Sequence, residues 1–244
     1  LLGQNVNAYK NENFRLSDLI VEIEKISEVK RIRYTTSHPR DMTDDLIEIY
    51  NSSKKLMPLV HLPVQSGSDK ILKLMNRKHL ISDYIKIHEK LKSINSNIEF
   101  SSDFIIAYPG EEEDDFNATL ELIKKIKFIN SYSFIFSQRP GTVASNLKLI
   151  EKKISQNRLE KVQKQLFDHQ ILMNKTLENK EIDVLVENKT TENDKFFGRS
   201  EHMTPVIFDG NDQDVGNIIK VKICKSNQNT LFGESLKKSE KRVA

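Results

Sequence analysis

The stretch LVHLPVQSGSDKILKLMNR, residues 59–77, decides the fold class. It begins with a short apolar run, residues 59–64, which is typical of a buried strand. The turn Ser66-Gly67-Ser68 follows it, and residues 69–77 then have the composition of a helix. A strand that passes through a tight turn into a helix is the opening of a βαβ unit.

The same alternation extends to both sides of this stretch. We predict further strands over residues 31–36, 98–107 and 132–136, and further helices over residues 44–55, 82–94 and 111–126. Thr43 precedes the first of these helices and is a plausible N-cap. Strands that alternate with helices of this length predict an α/β fold with a parallel sheet in residues 1–146. Because the loops at the carboxyl ends of such strands form one rim, we expect the functional residues there.

Residues 147–180 differ from the preceding part of the chain. They contain no Gly or Pro and carry eight Lys or Arg against four Asp or Glu, a local net charge of +4. Apolar residues recur at steps of three and four, which predicts a helix with one buried face. The basic face has two interpretations, a solvated surface on a connecting helix or direct contact with a nucleic-acid backbone.

The period of the apolar pattern changes to two from Glu181 onwards. Several short strands with intervening turns within about 55 residues predict a small all-β barrel over residues 181–236. The domain boundary therefore falls near Lys180. The tail, residues 237–244, is a run of charges that we expect to fray.

Composition excludes several classes of protein. With 37% hydrophobic and 30% charged residues the chain is globular, and its net charge of +3 is too even to identify a nucleic-acid binder. No apolar run is long enough to span a bilayer and no leader opens the chain, so we expect a cytoplasmic protein without a membrane partner. A single cysteine, Cys224, excludes a disulfide framework and any metal site built from several thiolates of this chain. The first residue is Leu1, within an apolar stretch, so we expect a piece of a longer protein.

Six blocks of sequence, in order, resemble the radical S-adenosylmethionine methylthiotransferases. They are residues 1–9, 36–41, 61–69 with 75–77, 103–111, 136–142, and 198–200 with 231–234. The first five resemble strand ends of the family's (β/α) barrel, and the last resembles TRAM, the small RNA-binding barrel that ends these enzymes. The resemblance therefore implies a partial radical-SAM (β/α) barrel followed by a TRAM barrel.

Residues 4–7 and 65–68 most resemble the tRNA-modifying branch of this family. That branch adds a methylthio group to C2 of N6-isopentenyladenosine at position 37 of tRNA. The resemblance implies S-adenosyl-L-methionine and two 4Fe–4S clusters as cofactors. The family's Cys-x3-Cys-x2-Cys motif is absent from this chain. We therefore expect this chain to ligate no cluster and to need an N-terminal cluster-binding portion as a partner, besides the tRNA.

The resemblance also assigns cofactor-facing residues. Gln65, Ser66 and Ser68 would serve the ribose or amino-acid part of adenosylmethionine, and the alternative for them is plain turn and capping chemistry. Arg77 would pair with the methionyl carboxylate, or is a surface arginine. Asp103 lies in a predicted strand, where a carboxylate needs a partner, so it serves the site or pairs with an internal arginine. Glu111 stands in a cofactor-facing loop, although acids at 111–115 also suit the first turn of a helix.

Four residues are candidates for contact with RNA. Arg139 follows a strand end and could meet a substrate phosphate. Phe196, Phe197 and Arg199 combine aromatic rings with a cation, as RNA-stacking surfaces do. The spacing of His38 and His61 fits no local metal motif, so we interpret them as core or rim histidines and predict no metal ligands.

Two other functions remain open at this stage. The missing cysteines and the start at Leu1 are compatible with a non-catalytic RNA-binding remnant of a split gene. The third possibility is the branch of the family that methylthiolates an aspartate of a ribosomal protein, which differs mainly within residues 4–7.

Overall fold

The computed structural model describes residues 1–192 and 195–236, so the predicted frayed tail lies outside the described residues. The chain forms two compact units, Leu1–Leu166 and a second that begins at Phe167. Within the described residues, no helix has the length and apolar character that crossing a membrane requires.

The first unit alternates strands with helices, as the sequence predicts. Its strands are β1 (Lys10–Asn11), β2 (Phe14–Arg15), β3 (Leu59–His61), β4 (Glu99–Ser101), β5 (Asp103–Ile106) and β6 (Tyr132–Ile135). Its helices are α1 (Leu16–Glu24), α2 (Asp44–Ser52), α3 (Asp69–Leu74), α4 (Ile81–Ile94), α5 (Glu113–Ile126) and the start of α6 (Lys152–Thr176). Strands β3 and β4 pair in parallel, as do β5 and β6, which confirms the predicted α/β class.

Two predicted strands differ from the structure. Residues 31–36 form no ladder and make a single parallel bridge from Ile32 to Leu56. The predicted strand 98–107 is interrupted at Ser102, whose hydroxyl oxygen accepts a hydrogen bond from the Val64 amide at 2.9 Å. The Val64 amide thus bonds a side chain and not a backbone carbonyl. The strand that precedes Ser102, β4, pairs with β3, whereas the strand that follows it, β5, pairs with β6.

The core of the first unit lies between the sheet and its helices. Its largest fully buried side chains are Tyr84, Phe100, Phe104, Phe116 and Phe128. The rings of Phe104 and Phe128 meet edge to face, with centroids 5.3 Å apart. The Tyr84 hydroxyl donates to the Leu62 carbonyl at 2.9 Å, which satisfies its polar atom inside the core.

The predicted connecting segment, residues 147–180, contains the long helix α6. Val162 and Leu166 in its first half are buried in the core of the first unit. In its second half, the Asn174 side-chain amide donates to the carbonyls of Asn227 and Gln228 in the second unit, at 2.8 and 3.0 Å. The division between the two units therefore falls inside the helix.

The second unit is a closed five-stranded barrel, as predicted. Its strands are β7 (Glu181–Lys189), β8 (Lys195–Arg199), β9 (Pro205–Asp209), β10 (Ile218–Ser226) and β11 (Leu231–Ser235). The order around the barrel is β10-β11-β9-β8-β7, and β10 pairs with β7 to close it. Inward residues such as Val184, Phe208 and Val221 are fully buried, and they alternate with outward ones.

Two inward glycines set the tight curvature of this barrel. A Cβ atom on Gly198 would lie 2.4 Å from the Leu185 carbonyl oxygen, and one on Gly233 would lie 2.4 Å from that of Lys222. Backbone atoms in a paired strand cannot move aside to make room for a Cβ atom, whereas a flexible side chain could. Each of these positions therefore requires glycine.

We expect Gly198→Ala or Gly233→Ala to destabilise the barrel by about 1–3 kcal/mol, because the added methyl group overpacks the strand pair. Urea unfolding followed by circular dichroism measures this change. Cys224→Ala, at an exposed position of β10, serves as the control and should leave the transition in place. A glycine variant as stable as the control would contradict the packing argument.

Candidate active site and nucleic-acid interface

The loops that follow the strands of the first unit meet at one rim. The Gln65 amide donates to the Asp103 carbonyl at 3.0 Å and its carbonyl accepts from the Ile105 amide, which joins the loop after β3 to β5. The rings of Tyr108 and Phe136, from the loops after β5 and β6, have centroids 4.9 Å apart. The predicted functional rim is therefore formed by loops that are in contact with one another.

Three polar side chains form a connected line on the sheet below this rim. His61 ends β3, and its Nδ1 lies 2.7 Å from the hydroxyl oxygen of Ser101, its register partner on β4. Its Nε2 lies 3.6 Å from Oδ2 of Asp103, the first residue of β5. Both side chains are partly exposed, so the Asp103 carboxylate is held from one side and open on the other. This arrangement can orient a hydrogen-bond acceptor towards a ligand.

Arg77 lies within electrostatic reach of this line. Its guanidinium is half-buried, and burial lowers its pKa while attraction to Asp103 opposes that change. Within the described part of the chain, no carboxylate accepts a hydrogen bond from it. A half-buried guanidinium beside an open acceptor fits a zwitterionic ligand, with a carboxylate for Arg77 and a donor for Asp103.

Gln65 occupies the bend between β3 and α3. Its backbone has a φ of +74°, which is unusual for a residue with a side chain. Such strained positions cluster at ligand sites because surrounding contacts must hold them. The bridge from Gln65 to Phe104 supplies those contacts here.

Ser66 and Ser68, predicted beside the same ligand, are both buried against α5. The Ser68 hydroxyl donates to Oδ1 of Asp115 at 2.6 Å and accepts from the Ile71 amide as the N-cap of α3. The Ser66 hydroxyl lies 3.4 Å from that of Thr119. These contacts correspond to the turn and capping chemistry that the sequence left open as the alternative.

Glu111 is buried in the rim loop and is paired within the protein. Its Oε1 accepts from Nη1 of Arg158 at 2.8 Å and from the Ala107 amide at 3.2 Å. Arg158 also donates to Glu113 at 2.9 Å. Burial raises the pKa of the Glu111 carboxyl more than Arg158 lowers it. Sequence reasoning missed Arg158 because it lies 47 residues away.

Arg139 lies in the exposed loop after β6, where its carbonyl accepts bonds from the amide and hydroxyl of Thr142. That loop contacts no other predicted site residue through a hydrogen bond within the described residues. Among the described residues no hydrogen bond therefore links Arg139 to Arg77 or Asp103, although Phe136 of the same loop packs on Tyr108.

The barrel requires a correction to the predicted RNA contacts. Phe196 points into the barrel core and is 1% exposed, so its ring cannot stack on a base. Strand alternation places Phe197 on the outer surface, where the Arg199 guanidinium carbon lies 5.2 Å from its ring centre. Arg199 also forms an ion pair with Glu187 at 3.1 Å.

The structure adds two residues that the sequence reading missed. Phe197 is the register partner of Ile207 on β9, and Ile207 is the partner of Phe232 on β11. The three form one outward row, here called the outer row, across adjacent strands. A cleft of about 190 Å³ lies beside Ile207 and Phe232, with Lys195 in its lining. The Phe-Gly pair repeated at 197–198 and 232–233 was the signal that could have identified Phe232.

The residues present do not fit an iron–sulfur cluster. Cys224 is the one cysteine of the sequence, and it lies exposed on β10 in the second unit. Across residues 1–192 and 195–236, no group of three or more His, Cys, Asp or Glu is arranged to hold a metal ion. Cluster ligation by this chain alone therefore lacks the donor atoms it needs.

Comparison with known proteins now gives the class. Residues 1–123 match the sequence profile of the Radical SAM superfamily, and residues 175–236 match that of the TRAM domain. The chain belongs to the radical SAM superfamily, and its C-terminal barrel matches a TRAM domain.

Several proteins of known name are similar to this chain. A tRNA-2-methylthio-N(6)-dimethylallyladenosine synthase of Pelagibacter ubique (strain HTCC1062) is 61% identical over 100% of this chain and 56% of its own length. The protein of the same name from Orientia tsutsugamushi (strain Boryong) is 45% identical over 96% of this chain and 54% of its own length. The chain thus spans about half the length of these relatives. The archaeal Methanocaldococcus infernus Elp3 with an N-terminal deletion aligns at a TM-score of 0.43, with 18% identity over 67% of this chain and 37% of that chain.

We expect His79, beside the rim, to make the first unit sensitive to acid. Burial lowers the pKa of His79 from 6.5 to about 4, and electrostatic repulsion by His38 and Arg77 contributes to this shift. Between these values the unfolded chain binds more protons than the folded one, so stability falls as the pH falls from 6.5 to about 4.

Urea unfolding from pH 7 to pH 4 measures this dependence. His79→Gln should flatten part of the slope. Burial lowers the pKa of His88 to about 4 as well, so His88→Gln should remove a separate part. A double variant with the wild-type slope would show that neither histidine is responsible.

Proposed function

We propose that this chain forms the rim and the RNA-binding barrel of a tRNA methylthiotransferase. The enzyme adds a methylthio group to C2 of N6-isopentenyladenosine at position 37 of tRNA, in the cytoplasm. The observation that carries the proposal is the 61% identity along the whole chain to a synthase of this modification. The match of the first half to the radical SAM superfamily supports the reaction class.

The connected side chains of His61, Ser101 and Asp103, together with Arg77, have the polar groups that adenosylmethionine requires. Arg77 would bind the methionyl carboxylate as a two-pronged donor, and Asp103 would accept a hydrogen bond from the bound ligand. His61, fixed by Ser101, would orient the Asp103 carboxylate. Gln65, at its strained bend, would present its amide beside the same ligand. Held by these residues, adenosylmethionine would supply radical chemistry to the enzyme.

The clusters belong to another part of the enzyme under this proposal. The chain has one cysteine and covers about half of the relatives' length, so we infer that the cluster ligands come from an N-terminal portion outside these 244 residues. What this chain does in catalysis is to bind and orient the cofactor and the RNA.

The outer row of the barrel supports an RNA partner. Aromatic rings on the solvent face of a sheet, with cations beside them, offer stacking surfaces to unpaired bases. Phe197 and Phe232 provide the rings, while Arg199 and Lys195, which pair with Glu187 and Asp209, provide the charges. The unpaired bases of an anticodon loop have the chemistry that such a surface accepts.

A second candidate is a non-catalytic RNA-binding chain, favoured by the single cysteine. DNA sequence immediately upstream of the Leu1 codon separates the two. An open frame with Cys-x3-Cys-x2-Cys supports the enzyme, whereas a stop or frameshift there supports the remnant.

The gene, expressed with its upstream frame in bacteria that lack this modification, tests the activity. We expect mass spectrometry of hydrolysed tRNA to detect 2-methylthio-N6-isopentenyladenosine. Unchanged N6-isopentenyladenosine, with the protein folded and its clusters loaded, would refute the proposal.

Arg77→Gln tests the cofactor contact in that enzyme. Loss of a charged hydrogen-bonded pair costs about 1.5–3 kcal/mol, so we expect adenosylmethionine to bind about 10- to 100-fold more weakly. Equilibrium dialysis with labelled adenosylmethionine measures the affinity. Lys124→Gln, on an outer helix, is the control, and equal affinity in the two variants would exclude Arg77 from the site.

Phe232→Ala tests the RNA contact. Stacking of one base contributes about 1–3 kcal/mol, so we expect the affinity for an anticodon stem-loop to fall about 5- to 100-fold. Fluorescence anisotropy measures it, and Val215→Ala is the control because Val215 is exposed outside the outer row. Equal binding by both variants would remove the outer row from the interface.

A further inference from the structure

The turn after α3 concentrates positive charge at the rim. The chain reverses direction there: Asn76 has a φ of +57°, and the Arg77 amide donates to the Leu72 carbonyl at 2.8 Å. This reversal places Lys73, Arg77 and Lys78 around one open cavity of about 440 Å³. These three residues are here called the basic turn.

The segment that carries the basic turn contacts two loops of the rim. The Tyr108 hydroxyl, in the loop after β5, donates to the Leu74 carbonyl at 3.1 Å. The His79 ring packs edge to face on that of His38, in the loop after residues 31–36, with centroids 5.4 Å apart. The cavity itself is lined by residues of α3, α4 and the turn between them, and this segment is the one that contacts the rim loops.

The charges around this cavity are unequal. Its lining carries four cations, Lys70 and the basic turn, against the two carboxylates of Asp69 and Asp83, a net charge of +2. Lys70 is occupied by ion pairs with Glu112 and Asp115, both at 2.9 Å. The two carboxylates accept hydrogen bonds from the backbone amides of Ile81 and Leu80.

Lys73 and Lys78 are the cations available to a ligand. Both side chains are exposed, and within residues 1–192 and 195–236 neither forms an ion pair. The side chain of Leu80, 52% exposed, lines the same cavity. A small inorganic anion would bind the charges and leave Leu80 exposed to water. A phosphodiester chain uses both, because its sugars cover apolar surface between phosphates.

We propose that the basic turn binds the phosphate backbone of the substrate RNA at the rim of the first unit, through Lys73 and Lys78. The inference rests on the proposed function, since it assigns a second RNA contact apart from the outer row. Its role is to hold the backbone while the target base enters the rim.

The test compares Lys73→Gln/Lys78→Gln with Lys54→Gln/Lys124→Gln in the 244-residue chain. The control lysines are exposed, form no ion pair among the described residues, and follow α2 or end α5 at the opposite end of the strands. Fluorescence anisotropy with an anticodon stem-loop at several KCl concentrations gives the affinity and its salt dependence. Circular dichroism melts verify that both variants fold.

We expect the basic-turn variant to bind about 10-fold or more weakly at about 0.1 M salt. Its slope of log affinity against log salt should fall by about 1.4–1.8, the value for two lost phosphate contacts. The control variant should stay within about 2-fold of wild type. Equal affinities and slopes in the two variants would overturn the inference.

Two further measurements distinguish a failure of this inference from a failure of the proposed function. If Phe232→Ala weakens binding while the basic-turn variant does not, the inference fails and the RNA-binding function stands. If the wild-type chain binds no stem-loop, the RNA part of the proposed function fails with it. Inorganic phosphate, exchanged for chloride at constant ionic strength, should not displace the RNA; displacement at millimolar phosphate would assign the cavity to a free anion instead.

Discussion

The close approach of Gly67 to α5 is the constraint on which the rim depends. A Cβ atom at this position would lie 2.5 Å from the Ala118 carbonyl oxygen and from the Thr119 Cα, so the loop after β3 can rest on the helix backbone only as glycine. The Gly67 amide donates to the Thr119 hydroxyl at 2.9 Å, which fixes the loop in place. With the loop held there, Ser68 reaches Asp115 and begins α3, and Gln65 is held in its bend against β5.

A buried ion pair extends this arrangement to the next loop. Arg158 of α6 and Glu111 of the loop after β5 are 7% and 1% exposed, and the guanidinium also stacks 5.2 Å from the Phe116 ring centre. Removing one partner would leave a buried charge uncompensated, which typically costs several kcal/mol. The pair therefore fixes the position of the loop after β5. The side chains of His61 and Asp103 remain partly exposed to solvent, next to loops that these contacts hold in place.

Local pattern was sufficient for much of the fold. Apolar spacing located α2 to α6 to within a few residues, whereas no prediction covered α1. Ser68 caps α3 as turn chemistry allows. The period-two segment after Glu181 formed the barrel that alternation predicts. Pattern failed at residues 31–36, where β-like alternation of Ile32 and Tyr34 is present. The backbone hydrogen bonds of this segment are divided between residues 55–57 and residues 1–6, so they form one isolated bridge and no continuous ladder. Pattern failed again at Ser102, because a serine hydroxyl that substitutes for a ladder bond leaves no signal in the sequence.

The sequence by itself determined the class of protein, because strand ends and turns carry short motifs whose order along the chain is local information. It also shows a single cysteine, which cannot by itself supply the several thiolates that a cluster needs. Only the tertiary structure decided which candidates share a site. His61 meets Asp103, Arg158 meets Glu111 from 47 positions away, and Phe232 joins Phe197 through Ile207, which pairs with both. Such contacts depend on strand register and on burial. Both result from the packing of distant segments, so neither can be derived from a single stretch of sequence.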